Sequence, residues 1–265
     1  MKRLFLDSPN SEWVPVQTGE SGDFVYRRND GAAYAKVATA ARANELVGER
    51  DRLTWLHGQG VACPEVIDWH ETEAEACLIM TAIPGVPAAE LSGNDLLSAW
   101  PTLAQQLKLL HGLSGERCPF ERRLSRMFER AVDVVSRNAV NPAFLPEEDK
   151  NKPQHELLAR VERELPTRLD QETKAMVVCH GDPCLPNLMV DPHRLHCTGF
   201  IDLGRLGTAD RYADLALLIA NAQEKWTTPE QAGRAFAVLF DTLEIAAPDR
   251  ERLTFYLRLD ALTWG

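Results

Sequence analysis

The sequence predicts an α+β protein with two lobes, a small strand-rich N-terminal lobe and a larger helical C-terminal lobe. Short apolar runs separated by turn residues dominate the beginning of the chain, whereas apolar positions at helical spacing dominate the rest. Pro84-Gly85 and Pro87 interrupt the pattern between the two parts. We therefore divide the chain into lobes at residues 1–84 and 85–265, with a cleft between them.

The N-terminal lobe opens with a predicted hairpin. Residues 23–27 and 32–37 have the composition of short strands, and Asn29-Asp30-Gly31 between them is a turn that hairpins favour. A helical stretch and two more strand-like runs follow. These elements are predicted at residues 42–57, 66–69 and 77–81.

Helical periodicity dominates the second lobe from about residue 95 onward. Two long stretches carry apolar side chains at three- and four-residue steps: Leu96, Trp100, Leu103, Leu107 and Leu110, then Leu215, Leu218, Ile219, Ala222 and Trp226. The only clear strands expected in this lobe are three short apolar runs at residues 176–179, 188–190 and 197–201.

The composition excludes several classes of protein. The 265 residues include 29 basic and 39 acidic ones, so the formal net charge is −10, which disfavours binding to nucleic acids or anionic membranes. Apolar runs stay far below the roughly 20 residues of a membrane span, and the first residues do not form a secretory signal. We expect a cytoplasmic protein without nucleic-acid or membrane partners, and take a monomer as the default.

The six cysteines contain no Cys-x-x-Cys pair. In a chain of this length they predict reduced thiols rather than a disulfide framework. Cys179-His180 with Cys184 is an alternative, as part of a zinc site, but no second ligand pair follows at zinc spacing.

The clearest chemical signal is VVCHGDPCLPNLMV, with GFIDLG about ten residues further on. Asp182 and Asn187 lie between two predicted strands, and Asp202 ends a third. His-x-Asp-x4-Asn followed by Asp-x-Gly is the catalytic signature of protein kinases, with Gly181 in place of its arginine. In that interpretation Asp182 accepts the proton of an attacking hydroxyl, while Asn187 and Asp202 hold Mg²⁺. An ordinary turn explains either motif alone, but the pair at this separation favours the catalytic interpretation.

The N-terminal lobe offers an independent test. A phosphotransferase of this kind needs a strand lysine for the nucleotide phosphates and a helical glutamate to hold it. AAYAKV places Lys36 on a predicted strand. In the next helix, Glu49 falls within the leucine stripe, where a carboxylate is costly unless a cation pairs with it. Glu45 is the rival partner, and a solvated Glu49 paired with Arg52 is the other alternative.

A short glycine-bearing stretch, TGESGDFV, lies before the hairpin and contains Gly19, Ser21 and Gly22. Its backbone N–H groups are candidates to cover nucleotide phosphates. A plain turn is equally compatible with these residues, and only their position one hairpin before Lys36 favours the phosphate role.

Together these residues resemble the aminoglycoside O-phosphotransferases, antibiotic kinases that share the protein-kinase fold. CHGDPCLPNLMV and GFIDLGRLGTADRYADLAL are similar to the core motifs of that family, and the likeness extends over nearly the whole chain. GESGDFV, CPFERRLSRMF and APDRERLTFYLRLDALTWG look closest to its streptomycin 3″-phosphorylating members. The resemblance implies a two-lobed protein-kinase-like fold and antibiotic resistance through transfer of the γ-phosphoryl group of ATP, with Mg²⁺, to a hydroxyl of a small cationic aminoglycoside.

The resemblance also implies roles for residues around the nucleotide. Lys36 would bind the phosphates and Glu49 would hold Lys36. LIMTAIPG is similar to the hinge of the family, so the backbones of Thr81 and Ile83 would bind adenine. Arg205 would lie near the phosphates and the substrate.

Substrate contacts in related kanamycin kinases come from an acidic loop, a helix and a C-terminal segment. The matching positions in this sequence are Glu147, Glu148, Asp149, Asn221, Glu224 and Asp260. Asn221 is an amide where those kinases have an acid, and Ala261 follows Asp260 where a second acid is expected. The changed acid set disfavours kanamycin and suits the planar guanidinium groups of streptomycin, which bidentate carboxylates recognise.

Three rivals stay open. A related kinase acting on another aminoglycoside, choline or homoserine would carry the same catalytic residues. A kinase-fold binding module without catalysis is disfavoured because the base, both metal ligands and the lysine are all present. A protein kinase is disfavoured because a helix is predicted to start near Tyr212, which leaves no room for a long activation loop after Asp202.

Overall fold

A computed structural model of the chain describes residues 13–16 and 24–265. Its N-terminal lobe is built on one sheet of five strands: β1 (Trp13–Val16), β2 (Phe24–Arg28), β3 (Ala33–Thr39), β4 (Val66–Glu71) and β5 (Glu75–Thr81). The strand order is β1-β2-β3-β5-β4, and all neighbours are antiparallel. One helix, α1 (Ala43–Gly58), packs against this sheet.

The second lobe is mostly helical. Its helices are α2 (Gly93–His111), α3 (Leu124–Ser136), α4 (Gln154–Ala175), α5 (Arg211–Gln223), α6 (Pro229–Thr242) and α7 (Arg250–Ala261). Its strands are β6 (Val86–Pro87), β7 (Met176–Cys179), β8 (Leu188–Asp191), β9 (His196–Phe200) and β10 (Gly207–Asp210). The predicted α+β architecture with a strand-rich first lobe and a helical second lobe is confirmed.

The predicted hairpin is present as β2 and β3, and Gly31 in its turn has φ +72°. The strand β1 escaped prediction because it is short and contains Pro15. Proline is tolerated there because β1 lies at the edge of the sheet, where the backbone is paired on one side alone. Its pairing with β2 could not be inferred from its composition.

Helix α1 buries the leucine stripe that the sequence pattern predicts. Leu46, Leu53 and Leu56 are buried and face the sheet and the second lobe. Burying each leucine contributes roughly 1.5–3 kcal/mol, so this stripe fixes the rotation of the helix. Glu49, one turn after Leu46, is thereby directed inward as well.

The expectation that residues 176–179, 188–190 and 197–201 are the only strands of the second lobe is wrong. β10 pairs with β7 in an antiparallel ribbon, and β6 extends the β8–β9 pair into a three-stranded sheet. Neither added strand has an apolar run: β6 is two residues long, and β10 is Gly-Thr-Ala-Asp. Tertiary packing buries all four residues of β10, and this burial overrides their low intrinsic preference for a strand.

The two lobes are joined by backbone contacts as well as by the connecting chain. Phe200 N donates to Ala62 O at 3.0 Å, across the interface between β9 and the segment after α1. A single cluster of buried apolar side chains, including Leu53 and Leu203, runs through both lobes. The division at residue 84 remains a prediction. Within the described ranges, no helix combines the length and the apolar character needed to cross a bilayer.

Candidate active site

The loop that carries Asp182 connects β7 to β8 and is held by a buried histidine. The Nδ1 atom of His180 accepts a hydrogen bond from Asp182 N at 3.2 Å, and its Nε2 donates to Ile201 O at 3.1 Å. These partners require a neutral ring with its proton on Nε2. Burial lowers the pKa of His180, which favours the neutral form. The ring therefore ties Asp182 to the strand end that leads to Asp202.

Asn187 lies at the other end of the same loop. Its Nδ2 donates to Asp182 O at 2.9 Å, and its backbone oxygen accepts from Ile201 N at 3.0 Å. The first bond fixes which end of the amide faces the loop, so Oδ1 points away from Asp182 O. The fold thus brings Asp182, Asn187 and Asp202 to one place.

Asp202 and Lys36 meet across the cleft. Lys36 Nζ lies 2.8 Å from Asp202 Oδ1 and 2.6 Å from Glu49 Oε1. The predicted pairing of Lys36 with Glu49 is confirmed, whereas the rival Glu45 pairs with Arg42 at 2.8 Å. Arg52, the other alternative, donates to backbone oxygens instead.

Two carboxylates determine the charge state of this lysine. Burial alone would lower the pKa of Lys36, but the negative charges of Glu49 and Asp202 raise it above its usual value. Lys36 in turn holds the pKa of Asp202 below its usual value, against the raising effect of burial. Lys36 and Asp202 are therefore both charged at neutral pH, and the ammonium stays available to anionic phosphates.

The oxygen atoms of this cluster suit a hard cation. Asp202 keeps a side chain that is 42% exposed, and its backbone has φ +60°, an uncommon conformation for aspartate. A carboxylate and an amide oxygen match the sparse protein ligation of Mg²⁺, which usually adds waters and phosphate oxygens. Asn187 and Asp202 thus fit a magnesium site.

The remaining predicted nucleotide contacts lie at the lobe connection and before β2. Thr81 ends β5, where its backbone N–H donates to Glu65 O at 2.9 Å, and Ile83 lies two residues further along the connection. Gly19, Ser21 and Gly22 fall outside the described residues. The roles of all five in nucleotide binding stay predictions.

Gly181 explains why this kinase-like signature has no arginine before its aspartate. Its φ is +88°, and a Cβ at this position would overlap the backbone carbonyl of Arg205. The loop after β7 and the segment after Asp202 are therefore in direct backbone contact here. Any side chain would push them apart.

We expect Gly181→Ala to lower the free energy of unfolding by about 2–4 kcal/mol, because left-handed strain and a backbone clash add together. Turnover should fall at least tenfold, since Asp182 moves with its neighbour. Urea denaturation and steady-state kinetics measure both. Gly233→Ala is the matched control: Gly233 lies in α6 with open space around it, so alanine should stabilise slightly. Equal effects of both substitutions would contradict the clash.

A buried acid that the sequence analysis did not identify organises the loop. Asp214 in α5 is 0% exposed, and it accepts from His180 N at 2.8 Å and from Gly181 N at 2.9 Å. His111 Nε2 in α2 lies 3.1 Å from the same carboxylate. The available signal was an acid within the apolar run of ADLAL, where an unpaired carboxylate is costly.

The zinc alternative receives no support from the geometry. His180 directs its ring to Ile201 rather than toward a shared ligand position with Cys184. Cys179 does approach His111 and Asp214, but the oxygens of Asp214 already accept backbone N–H groups. The buried thiol has a pKa raised by desolvation, which disfavours the thiolate that zinc requires.

Arg205 lies beside the loop in a network with the C-terminal segment. Its Nη2 donates to Asp260 Oδ1 at 3.1 Å and to Thr263 Oγ1 at 3.0 Å. Its guanidinium carbon lies 4.5 Å from the ring centroid of Trp264. Arg122 also reaches Asp260 Oδ1, at 3.1 Å.

The other predicted substrate residues have varied surroundings. Asp149 is buried and pairs with Lys152 at 2.6 Å and with Arg160 at 3.1 Å. Glu147 pairs with Lys150 at 2.6 Å. Glu148 and Glu224 are exposed side chains. The roles of these four residues in substrate binding stay predictions.

Asn221 turns out to support the catalytic loop. Its Oδ1 accepts from Leu185 N at 2.7 Å, between Asp182 and Asn187 in the sequence. An amide oxygen serves this purpose as well as a carboxylate does. The replacement of an acid at this position therefore leaves the loop anchored.

Comparisons with known proteins agree with this geometry. The phosphotransferase enzyme family matches residues 12–256. A streptomycin 3″-kinase of Streptomyces griseus is 52% identical over 96% of this chain and 93% of its own length. An aminoglycoside 3′-phosphotransferase of Streptomyces fradiae is 37% identical over 95% of each chain. The structure of an aminoglycoside phosphotransferase from Streptomyces rimosus in complex with ADP and streptomycin has a TM-score of 0.90 and 47% identity, and covers 96% of this chain and 93% of that one.

Proposed function

This chain belongs to the phosphotransferase enzyme family, and we propose that it is an aminoglycoside kinase that transfers the γ-phosphoryl group of ATP to the 3″-hydroxyl of streptomycin, thereby conferring resistance. The observation that carries the proposal is the convergence of Asp182, Asn187 and Asp202 opposite the Lys36–Glu49 pair. Such a set provides the parts that phosphoryl transfer to an alcohol requires. The enzyme acts as a cytoplasmic monomer without nucleic-acid or membrane partners.

The chemistry is positioning and charge neutralisation, because ATP already activates the phosphoryl group. Asp182 orients the substrate hydroxyl and accepts its proton late, at a carboxylate oxygen. Lys36 binds the α- and β-phosphates, and Glu49 holds Lys36 in place. Asn187 and Asp202 would hold Mg²⁺, which would supply positive charge to the phosphate oxygens.

Binding of the nucleotide involves both lobes. The backbones of Thr81 and Ile83 are the proposed adenine contacts, and Gly19, Ser21 and Gly22 are the proposed phosphate contacts. Arg205 lies on the side of the second lobe.

Streptomycin is favoured over kanamycin as the acceptor. The streptomycin 3″-kinase relative shares 52% identity with this chain, against 37% for the 3′-phosphotransferase relative. The acid set also departs from that of kanamycin kinases, since Asn221 supports the loop instead of presenting a charge. Planar guanidinium groups need carboxylate pairs, and the exposed Glu148 and Glu224 are candidates to supply them.

The test is a substrate panel with Mg-ATP in which streptomycin is compared with kanamycin and choline. We expect kcat/KM for streptomycin to exceed that for kanamycin by about 100-fold or more, because a pocket built for one set of polar groups rejects a ligand that lacks them. Phosphorus NMR of the product identifies the phosphorylated hydroxyl. Preferred phosphorylation of kanamycin or choline would contradict the assignment of streptomycin as the acceptor. ATP hydrolysis without any phosphorylated acceptor would contradict kinase activity.

A further inference from the structure

We propose that Asp260 is a positioning residue that fixes the guanidinium of Arg205 beside the reaction centre, and that it does not bind the substrate directly. This inference rests on the proposed kinase function and concerns the same site. It departs from the role that sequence resemblance assigns to Asp260, which is contact with the cationic aminoglycoside.

The first argument is the set of partners that Asp260 already has. Its Oδ1 accepts from Arg122 and Arg205, each at 3.1 Å, and its Oδ2 accepts from Trp264 Nε1 at 3.0 Å. The residue is only 6% exposed. A carboxylate with three donors and almost no exposure is poorly presented to a ligand arriving from solvent.

The second argument is charge. Two guanidinium groups share one carboxylate, so the immediate cluster of Arg122, Arg205 and Asp260 carries a net charge of +1. An aminoglycoside is itself a polycation and is repelled by such a cluster. A transferring phosphoryl group is an anion and is attracted to it.

The third argument is how firmly Arg205 is held. Asp260 and Thr263 both accept from its Nη2, and the ring of Trp264 packs on its face. Its Nη1 is buried and has no hydrogen-bond partner among the described residues. Nη2 is thus clamped, while the Arg205 side chain as a whole keeps 27% exposure, so part of it stays accessible to developing negative charge, which a firmly held guanidinium stabilises.

The last argument is position. The backbone of Arg205 touches Gly181, and Arg205 follows Asp202 by three residues, so the clamp acts on a group next to both catalytic motifs. Asp260 reaches the reaction centre through Arg205, since its Oδ1 is turned toward the two arginines and its Oδ2 toward Trp264.

The decisive experiment is a double-mutant cycle with Asp260→Asn and Arg205→Ala, measured on streptomycin or whichever acceptor supports turnover. If Asp260 positions Arg205, Asp260→Asn should lower kcat by about 10- to 100-fold. The calorimetric Kd for the aminoglycoside, measured with ADP, should change less than about threefold. The double variant should be no slower than Arg205→Ala alone, because the two residues act as one unit.

The opposite pattern would overturn the proposal. If Asp260 instead bound the substrate directly, Asp260→Asn would raise the Kd for the aminoglycoside at least about tenfold and leave kcat unchanged. Its effect would then add to that of Arg205→Ala. Glu251→Gln is the matched control, since Glu251 lies on the same helix with a side chain that is 91% exposed. It should change neither parameter.

A second variant covers the case in which Asp260→Asn does not fold, as shown by its melting curve. Thr263→Val removes one partner of Arg205 Nη2 and leaves the buried carboxylate intact. It should lower kcat about three- to tenfold without a change in aminoglycoside Kd. An unchanged kcat in folded Thr263→Val would overturn the proposal that these hydrogen bonds hold Arg205 in position. If no acceptor is phosphorylated, the proposed function fails, and the same cycle on the slow hydrolysis of ATP still decides whether Asp260 and Arg205 are coupled.

Discussion

Replacing Asp182 with asparagine is expected to lower kcat for phosphoryl transfer at least about 1,000-fold, while the affinity for ATP stays within about threefold. Asparagine has nearly the same shape but cannot accept the hydroxyl proton. The loop should survive the change, because two of the hydrogen bonds that hold it at this residue involve the backbone. Asp182 N donates to His180, and Asp182 O accepts from Asn187.

Stopped-time assays of phosphorylated product and calorimetric titration with ATP separate the two effects. Asp191→Asn is the control, because Asp191 is a turn acid at the end of β8 whose Oδ1 accepts from His193 N and Arg194 N. Asparagine can make the same turn contacts, so turnover should remain unchanged. Near wild-type turnover by Asp182→Asn would show that another group accepts the proton.

Lys36→Ala should give a different pattern from Asp182→Asn. Loss of the ammonium weakens ATP binding and lowers kcat together, since the lysine contacts the nucleotide before and during transfer. It also leaves the buried carboxylate of Glu49 without this cation, which costs stability. Melting curves therefore accompany the kinetic comparison.

The catalytic motifs could be predicted from sequence because their chemistry depends on local spacing. Asp182 and Asn187 share one loop, and five residues of separation suffice to bring the side chain of one to the backbone of the other. The Lys36–Glu49 pair was also predictable, because an acid in an apolar stripe requires a buried cation nearby. In both cases a few individual residues were enough for the prediction, because their side chains would be costly to place without a functional or ionic partner.

The residues and strands that hold the catalytic groups in position could not be predicted from sequence, because they depend on contacts between residues far apart in the chain. β10 becomes a strand through its pairing with β7, about 30 residues earlier. Asp260 looks like a surface acid in the sequence, and only the folded chain reveals that Arg122 and Arg205 surround it. The sequence does not show which arginine pairs with a given acid, because many arginines in the chain are possible partners.

Asp214→Asn is expected to be the most destabilising of the conservative substitutions at this site, lowering the free energy of unfolding by about 3–5 kcal/mol. Asp214 accepts N–H groups from His180 and Gly181 on separate oxygens. An asparagine offers one oxygen and one amino group, so one backbone donor would face another donor inside the core. Turnover should be lost as well, because His180 and Gly181 immediately precede Asp182 in the chain and determine its position.

Urea denaturation measures the stability change, with Asp241→Asn as the control at an exposed acid in α6. The control should change stability by less than about 0.5 kcal/mol. A loss below about 1 kcal/mol in Asp214→Asn would show that the loop relaxes to satisfy its donors elsewhere, and that α5 does not determine its position.

The pH dependence offers an independent check on the same residue. Burial would raise the pKa of Asp214, but the hydrogen bonds with His111 and with the N–H of Gly181 hold it below its usual value. Because the pKa is lower in the folded state, the charged group stabilises the fold above the unfolded-state pKa of about 3.9. That contribution is lost as the pH falls through the folded-state pKa. The stability difference between the wild type and Asp214→Asn should therefore be complete at neutral pH and shrink in acid below about pH 4. A difference that grew on acidification would mean that Asp214 is protonated in the folded protein, and its carboxylate could not then accept both backbone N–H groups as an anion.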